Sequence, residues 1–318
     1  MFRRAFLVVH WICFLGLGGC GGSGQPSPAD AGADDAGAVL PPQKGTKENP
    51  MPADLSCVGM RTAPSPGARV QAQFKLQVLP GNSPVTGAMV ELFPGLLPRE
   101  RCDGDCVMVM TNNEGIAEAM LPGGGWFAFR ADRGTVMGTT MTVPTIGHFY
   151  TWPMMTSDPP VTGTAIGQLA VTAIAAALNR EFTPSAIAIS GSFRDCTGQP
   201  VANVRFRLFR GSMEIVSGAR GDRDAPILTG LGDQALPMPS MNGLTGFQGR
   251  FAGVVPNPSG SGPFRIEIYG QPQGGMGPVL LGCEEVVGEG GKVTVAVVGP
   301  LRSDYPEGHG CRGRSGTP

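Results

Sequence analysis

Hydrophobic and polar positions alternate along two stretches of this chain that share one pattern. Residues 84–95 read PVTGAMVELFPG, and residues 200–211 read PVANVRFRLFRG. This period of two predicts a strand with one buried face in each stretch. The inward sets are Ala88, Val90 and Leu92, and Val204, Phe206 and Leu208; the outward sets are Met89, Glu91 and Phe93, and Arg205, Arg207 and Phe209. The inward sets are apolar in both copies, whereas two of the three outward positions differ, so the repeat indicates a duplicated domain rather than a duplicated site.

A second block of the repeat follows each of these strands. The two copies share a threonine, a glycine and a proline at equivalent positions of this block: Thr111, Gly115 and Pro122 in the first copy, and Thr245, Gly249 and Pro256 in the second. The second copy has the longer connection between its blocks. A long loop on a rigid sandwich favours binding, but neutral insertions also accumulate in loops, and both interpretations stay open.

One stretch, residues 164–180, has the three- and four-residue spacing of an amphipathic helix. We predict that it packs between the two repeated units. The fold class that follows is all-β, with two tandem β-sandwiches and one interdomain helix. The predicted segments are a sandwich at 55–156, a helix segment at 157–184, a second sandwich at 185–300 and a polar tail at 301–318.

The first 20 residues form an export signal, with two arginines followed by an apolar run too short to span a bilayer. Its ending, Leu17-Gly18-Gly19-Cys20, resembles the bacterial lipobox, which implies cleavage before Cys20 and lipid attachment to its sulfur. The alternative is an ordinary secretory signal. Arg3-Arg4 partly matches the twin-arginine pattern, but the strong apolar run favours the general secretory route.

Residues 21–54 are predicted to be a disordered linker, because they hold few large apolar side chains. The resemblance to lipoproteins, with Gly21 after the cysteine, implies an outer-membrane location, periplasmic or surface-exposed. The predicted partners are therefore the membrane, through the N-terminal lipid, and an envelope protein or polysaccharide; no oligomeric state is predicted.

Composition narrows the classes of function. The formal net charge is -1 and charged residues make up 15% of the chain, so no basic field exists to hold nucleic acid. The 50 glycines and 30 prolines suit many short strands joined by tight turns. No GxSxG, HExxH or GK[ST] motif occurs. We therefore expect no catalytic residue, metal site or cofactor.

Six cysteines follow the predicted cleavage site, and an exported chain favours disulfides between them. They are Cys57, Cys102, Cys106, Cys196, Cys283 and Cys311. The spacing of Cys102 and Cys106 favours a local bridge. The preferred pairings are Cys57 or Cys102 with Cys106, and Cys196 with Cys283 or Cys311.

Two groups of residues are candidates for ligand binding. The first is the aromatic run of His148, Phe149, Tyr150 and Trp152, whose rings could stack on sugars; the alternative is that they fill the seam between the domains. The second is the carboxylate pairs, Asp222 with Asp224 and Asp103 with Asp105. These could bind calcium or act in acid–base chemistry, although solvated loop charges are the more usual interpretation.

The order of these strands and turns resembles the carboxypeptidase regulatory-like domain, a transthyretin-like β-sandwich of about seven strands. The residues that carry the resemblance are Pro84, Val85, Ala88, Val90, Leu92, Gly115, Pro122, Phe127 and Phe129, and Pro200, Val201, Val204, Phe206, Leu208, Gly249, Pro256, Phe264 and Ile266. The resemblance implies an accessory or display module without catalysis. The favoured function is a non-catalytic structural or protein-binding lipoprotein; the alternatives are a carbohydrate- or peptidoglycan-binding module and an enzyme accessory or unrecognised hydrolase.

Overall fold

A computed structural model gives the fold of most of the chain after the predicted linker. It describes residues 52–79, 81–95, 102, 104–132, 134–136, 140–218, 222–231, 237, 244–246, 249–256, 262–271 and 277–314. Cys20, the predicted signal peptide, nearly all of the predicted linker and Asp103 lie outside these residues.

The first half of the described chain forms ten strands. They are β1 (Arg69–Leu79), β2 (Ser83–Pro84), β3 (Met89–Pro94), β4 (Val107–Met110), β5 (Ile116–Pro122), β6 (Trp126–Ala131), β7 (Thr135–Val136), β8 (Thr140–Met141), β9 (Thr145–Thr151) and β10 (Val161–Ile166). β1 pairs in parallel with β10 and antiparallel with β2 and β5, while β9, β6, β3 and β4 lie side by side. β7 and β8 form a small separate ribbon.

The second half contains the helix and eight strands. They are α1 (Gln168–Ala177), β11 (Ile187–Phe193), β12 (Arg205–Arg210), β13 (Met213–Ile215), β14 (Ile227–Gly230), β15 (Arg250–Val255), β16 (Gly262–Gly270), β17 (Val279–Gly288) and β18 (Val293–Val298). β11 pairs in parallel with β18 and antiparallel with β15, which also pairs with β14. The facing sheet has the order β17, β16, β12, β13.

The two halves follow the same pairing plan. β1 pairs with β5 and with β10 as β11 pairs with β15 and with β18. The order β9-β6-β3-β4 corresponds to β17-β16-β12-β13. In each half the inward side chains of two sheets meet in one buried core. The prediction of an all-β, sandwich fold with one helix is confirmed.

One sheet crosses from the first sandwich to the second, which the sequence did not lead us to predict. β18 pairs in parallel with β9, and Val293 to Ala296 lie opposite Thr145 to His148. The result is a continuous eight-stranded sheet with the order β14-β15-β11-β18-β9-β6-β3-β4. Backbone hydrogen bonds therefore join the two sandwiches, as well as side-chain packing.

A β-bulge in β9 distributes its aromatic side chains between the two cores. Phe127 lies opposite Tyr150 and Phe129 lies opposite Gly147, so the register shifts between these pairs. Phe149 has a φ of 66°, which a bulky residue rarely adopts. The side chain of Phe149 packs in the core of the second sandwich, whereas Tyr150 packs in the core of the first.

The helix begins later than the sequence predicts. Residues 164–166 belong to β10, where parallel pairing with β1 holds them in an extended conformation. Within α1, Val171 and Ala175 are buried, whereas Leu169 is 74% exposed. Across the described part of the chain, no helix has the length and apolar character needed to cross a membrane.

Both ends of the described chain pack on the second sandwich. Ala53, Leu55 and Val58 contact its core, although the first two stand at the boundary between the predicted linker and the first predicted domain. In the predicted polar tail, Leu301 and Tyr305 are buried. The second sandwich is thus covered by chain segments from both sides of the repeat.

Candidate functional site

Three disulfides hold the described cysteines. Cys102 pairs with Cys106, as the local spacing favoured. Cys57 pairs with Cys196 and Cys283 pairs with Cys311. The preferred pairing of Cys196 with Cys283 or Cys311 is therefore wrong, as is the alternative of Cys57 with Cys106. The physical reason is that residues 52–66, which we call the N-terminal segment, fold back onto the second sandwich and bring Cys57 to Cys196.

The aromatic run proposed for sugar stacking lies inside the protein. His148 is fully buried, and its Nε2 accepts a hydrogen bond of 3.3 Å from the backbone N–H of Val287. Tyr150 is 8% exposed and Trp152 is 1% exposed, and the indole N–H of Trp152 donates to the carbonyl of Val70. Stacking on a sugar needs an exposed ring face. These rings are packed inside instead: Phe149 in the core of the second sandwich, and Tyr150 and Trp152 in the core of the first.

Asp222 and Asp224 lie in an exposed turn. The side chain of Asp222 accepts a hydrogen bond from the backbone N–H of Asp224 at 3.0 Å. Nearby Arg180 is buried and donates from Nε to the carbonyl of Ala225. Burial lowers the pKa of Arg180, and the two carboxylates oppose that shift. Their local role in this structure is to shape the turn and to balance the charge of Arg180.

The remaining predicted carboxylate that can be placed is Asp105, which forms an exposed ion pair with Arg69 at 3.4 Å. Among the described residues, no group of three or more His, Cys, Asp or Glu side chains is arranged to hold a metal ion.

A small pocket opens where the two sandwiches and the N-terminal segment meet. Its volume is about 220 Å³. Trp126, Phe149 and Thr151 line it from the first sandwich, Arg61 from the N-terminal segment, and Arg194, Asp195, Cys196, Gly198, Glu284, Val297 and Gly299 from the second. We call this region the seam pocket.

A buried acid and a buried base lie beside the seam pocket. Glu284 is 3% exposed and Arg302 is 5% exposed, and Nε of Arg302 is 3.4 Å from Oε1 of Glu284. The other carboxylate oxygen, Oε2, is buried and has no hydrogen-bond partner among the described residues. Burial raises the pKa of Glu284 to about 8, although Arg302 and Arg61 pull it down.

Two aromatic rings pack against Arg302, the charged member of this pair. The guanidinium of Arg302 lies 4.8 Å from the ring centre of Trp126 and 4.3 Å from that of Tyr305, which is the geometry of cation–π contacts. The hydroxyl of Tyr305 donates to the carbonyl of Cys283. Burial also raises the pKa of Tyr305. The arrangement therefore ties the tail, the second sandwich and Trp126 of the first sandwich together.

A second charged cluster crosses the seam on strand β6. Arg130 pairs with Glu289 through its two terminal guanidinium nitrogens, and Lys292 contacts the same carboxylate at 2.7 Å. Burial opposes ionisation of Glu289, but the hydrogen bonds from Arg130 and Lys292 lower its pKa to about 2. Bidentate pairs of this kind fix orientation as well as contributing free energy.

Sequence reasoning did not identify Glu284, Arg302 or Arg130. The indication in the sequence was small: a carboxylate within the apolar run VLLGCEEVVG of β17. Such a residue could equally have faced solvent. Alternation along a strand indicates the side of the sheet on which a residue lies, but not the residue that it contacts. Its partner stands in the segment that we predicted to be a polar tail.

Comparisons with known proteins leave the chain without an assigned family. No family model matches it, and no curated protein matches it. Among solved structures it is similar to the Bacillus anthracis TIE protein, with 13% identity over 74% of this chain and 34% of that chain, at a TM-score of 0.22. This chain therefore spans about a third of the length of that protein.

Two pilins are also similar in structure. GBS52, the minor pilin of Streptococcus agalactiae, is 14% identical over 76% of this chain and 98% of that chain, with a TM-score of 0.23. The shaft pilin SpaA of Lactobacillus rhamnosus GG is 11% identical over 75% and 99%, with a TM-score of 0.24. Likenesses this distant say nothing about the activity or partners of this chain.

Proposed function

We propose that this chain is an exported lipoprotein that presents its two β-sandwiches as one rigid head at the outer membrane, with a structural or protein-binding role and no catalysis. The observation that carries the proposal is the eight-stranded sheet that runs through both sandwiches. A head built in this way keeps a fixed distance and orientation between its two outer surfaces.

Several features of the seam support a structural role. The Arg130–Glu289 pair and the Arg302–Glu284 pair both lie where the halves meet. Three disulfides among the described residues suit an oxidising compartment. The acid with the raised pKa, Glu284, has an arginine beside it rather than a nucleophile, which favours a role in packing over one in hydrolysis.

Lipid attachment is tested by metabolic labelling with an alkyne fatty acid in a Gram-negative host. We expect label on the wild-type chain and none on Cys20→Ser, because the thiol is the acceptor. The matched control is Cys13→Ser, which changes a cysteine inside the predicted signal and should keep the label. Equal labelling of Cys20→Ser would contradict the lipoprotein assignment.

The binding role is tested on intact cells by protease shaving and by crosslinking of the full chain. If the head binds an envelope protein, crosslinking should yield one reproducible adduct from wild type and a much weaker one from Cys20→Ser, which lacks the anchor. A set of adducts that is identical in cells expressing an unrelated lipoprotein would contradict specific binding.

A further inference from the structure

The outer face of the hairpin β3–β4 carries three methionines. Met89 lies directly opposite Met110, and Met108 lies opposite Glu91. The inward positions of the same strands, Val90, Leu92, Val107 and Val109, pack in the core of the first sandwich. The three methionines therefore share the face that points away from that core.

The exposure of these side chains is unusual for large apolar groups. Met108 is 56% exposed and Met110 is 61% exposed, while Met89 is partly buried. Removing methionine side chains from water would stabilise the protein by about 1.5–3 kcal/mol each, yet this face leaves two of them in solvent. Packing within the described chain does not account for them.

The spacing allows three sulfurs to converge. Side chains directly opposite on antiparallel strands have Cβ atoms about 4.5–5.5 Å apart, and diagonal neighbours are about 7–8 Å apart, within reach of long side chains. Methionine has three rotatable bonds and a polarizable thioether. Met89, Met108 and Met110 can thus direct their sulfurs to a common point above the hairpin, with the carboxylate of Glu91 on the same face.

The corresponding hairpin in the second sandwich has a different surface. β12 carries Arg205 and Arg207 on its outward face, and Arg207 forms an ion pair with Glu214 of β13. Only one methionine, Met213, stands on that hairpin, and it is 66% exposed. Since both hairpins occupy the same place in the fold, the methionine face is not a requirement of the sandwich.

We propose that Met89, Met108 and Met110 form a binding site for a soft monovalent cation of the Cu(I) class. Thioethers are ligands that select Cu(I) over the harder divalent ions. Glu91 contributes a negative charge that attracts the cation to this face. The site uses sulfur alone for ligation, so it is distinct from the His, Cys, Asp and Glu clusters that hold most metals.

The test uses Ag(I) as the probe, because it is soft and monovalent and, unlike Cu(I), is not oxidised by air. The full chain is labelled with ¹³C on its methionine methyl groups, free thiols are blocked, and silver nitrate is titrated in chloride-free buffer. We expect the methyl resonances of Met89, Met108 and Met110 to shift together and to saturate at one equivalent. The resonance of Met213 should not move over that range.

Variants assign the ligands. Mutating a residue that hydrogen-bonds to a metal ligand typically weakens the affinity of the site for its metal about 10–100-fold. The double variant Met108→Leu with Met110→Leu removes two direct ligands and should weaken Ag(I) binding at least as much. Leucine is close to methionine in volume, and both positions are exposed, so the fold should be retained, which circular dichroism checks. Met213→Leu is the matched control and should bind Ag(I) as wild type does.

Two results would overturn the site. In the first, Ag(I) shifts the Met213 resonance at the same concentrations as the resonances of Met89, Met108 and Met110. That result would mean that silver binds exposed thioethers adventitiously. In the second, the double leucine variant stays folded and binds Ag(I) as tightly as wild type.

Discussion

Glu284 is a carboxylic acid held inside the protein beside an arginine that cannot give up its charge. Burial raises the pKa of Glu284 to about 8 from an ordinary 4.5. The folded protein therefore keeps this proton over a pH range in which the unfolded chain has released it. Unfolding in that range releases a proton, so stability falls as the pH rises.

For Glu284→Gln we predict a flatter dependence of stability on pH. In wild type, the free energy of unfolding should fall between about pH 5 and pH 8 by up to about 1.4 kcal/mol per pH unit. The variant lacks the titrating group and should lose most of that slope. Urea unfolding at several pH values measures it, and the exposed Glu307→Gln is the control that should keep the wild-type slope.

At the level of single residues, alternation predicted the core well and the site poorly. Ala88, Val90 and Leu92 are fully buried, as predicted, because period two sets the face of a strand. Phe93 was predicted to face outward but is 3% exposed, so alternation alone gives the wrong environment at that end of β3. Glu284 could not be paired with Arg302, since nothing local links these two positions.

Strand β9 is the element on which the connection between the sandwiches depends. It pairs with β6 on one side and with β18 on the other. At Gly147 the strand passes so close to Phe129 that an added Cβ would lie 2.0 Å from a ring carbon. Glycine is therefore needed here for space rather than for backbone freedom.

We predict that Gly147→Ala lowers the free energy of unfolding by about 1–3 kcal/mol, because the ring of Phe129 must move within a packed core. Denaturant unfolding measures the change. Gly277→Ala is the control, since an added Cβ there meets nothing within 4 Å, and it should shift stability by less than about 0.5 kcal/mol. Equal effects of the two substitutions would contradict the close approach.

At the start of the helix, long-range strand pairing overrides the local helical pattern. The spacing of apolar residues over 164–180 suits a helix, but its first turn is taken by β10. Parallel pairing of β10 with β1 connects residues far apart in sequence. The spacing of apolar residues within 164–180 carries no information about a contact with β1, so the predicted helix starts too early.

At the scale of the whole molecule, the N-terminal segment folds back and covers part of the second sandwich. Cys57 and Cys196 are 139 residues apart in sequence, and their disulfide holds that segment on the second sandwich. The backbone N–H of Asp54 also donates to the side chain of Asp195. The duplication could be read from the sequence, but this folding back could not, because six cysteines permit many pairings.

We predict that Cys57→Ser with Cys196→Ser lowers the free energy of unfolding by about 2–4 kcal/mol and exposes residues 52–66 to protease. Cys102→Ser with Cys106→Ser is the control, because that bridge spans a separation of 4 and restricts the unfolded chain less. Limited proteolysis with mass analysis and urea unfolding measure both effects. Unchanged protease resistance in the first variant would mean that packing alone holds the segment.

If the pairing of β9 with β18 joins the two sandwiches as we propose, they move as one body. Residual dipolar couplings of backbone amides, measured for both halves of the deuterated protein in one aligned medium, test it most directly. We expect a single alignment tensor to fit residues 69–166 and 187–298 together. Two tensors of different magnitude or orientation would show that the halves move independently and would contradict the rigid head.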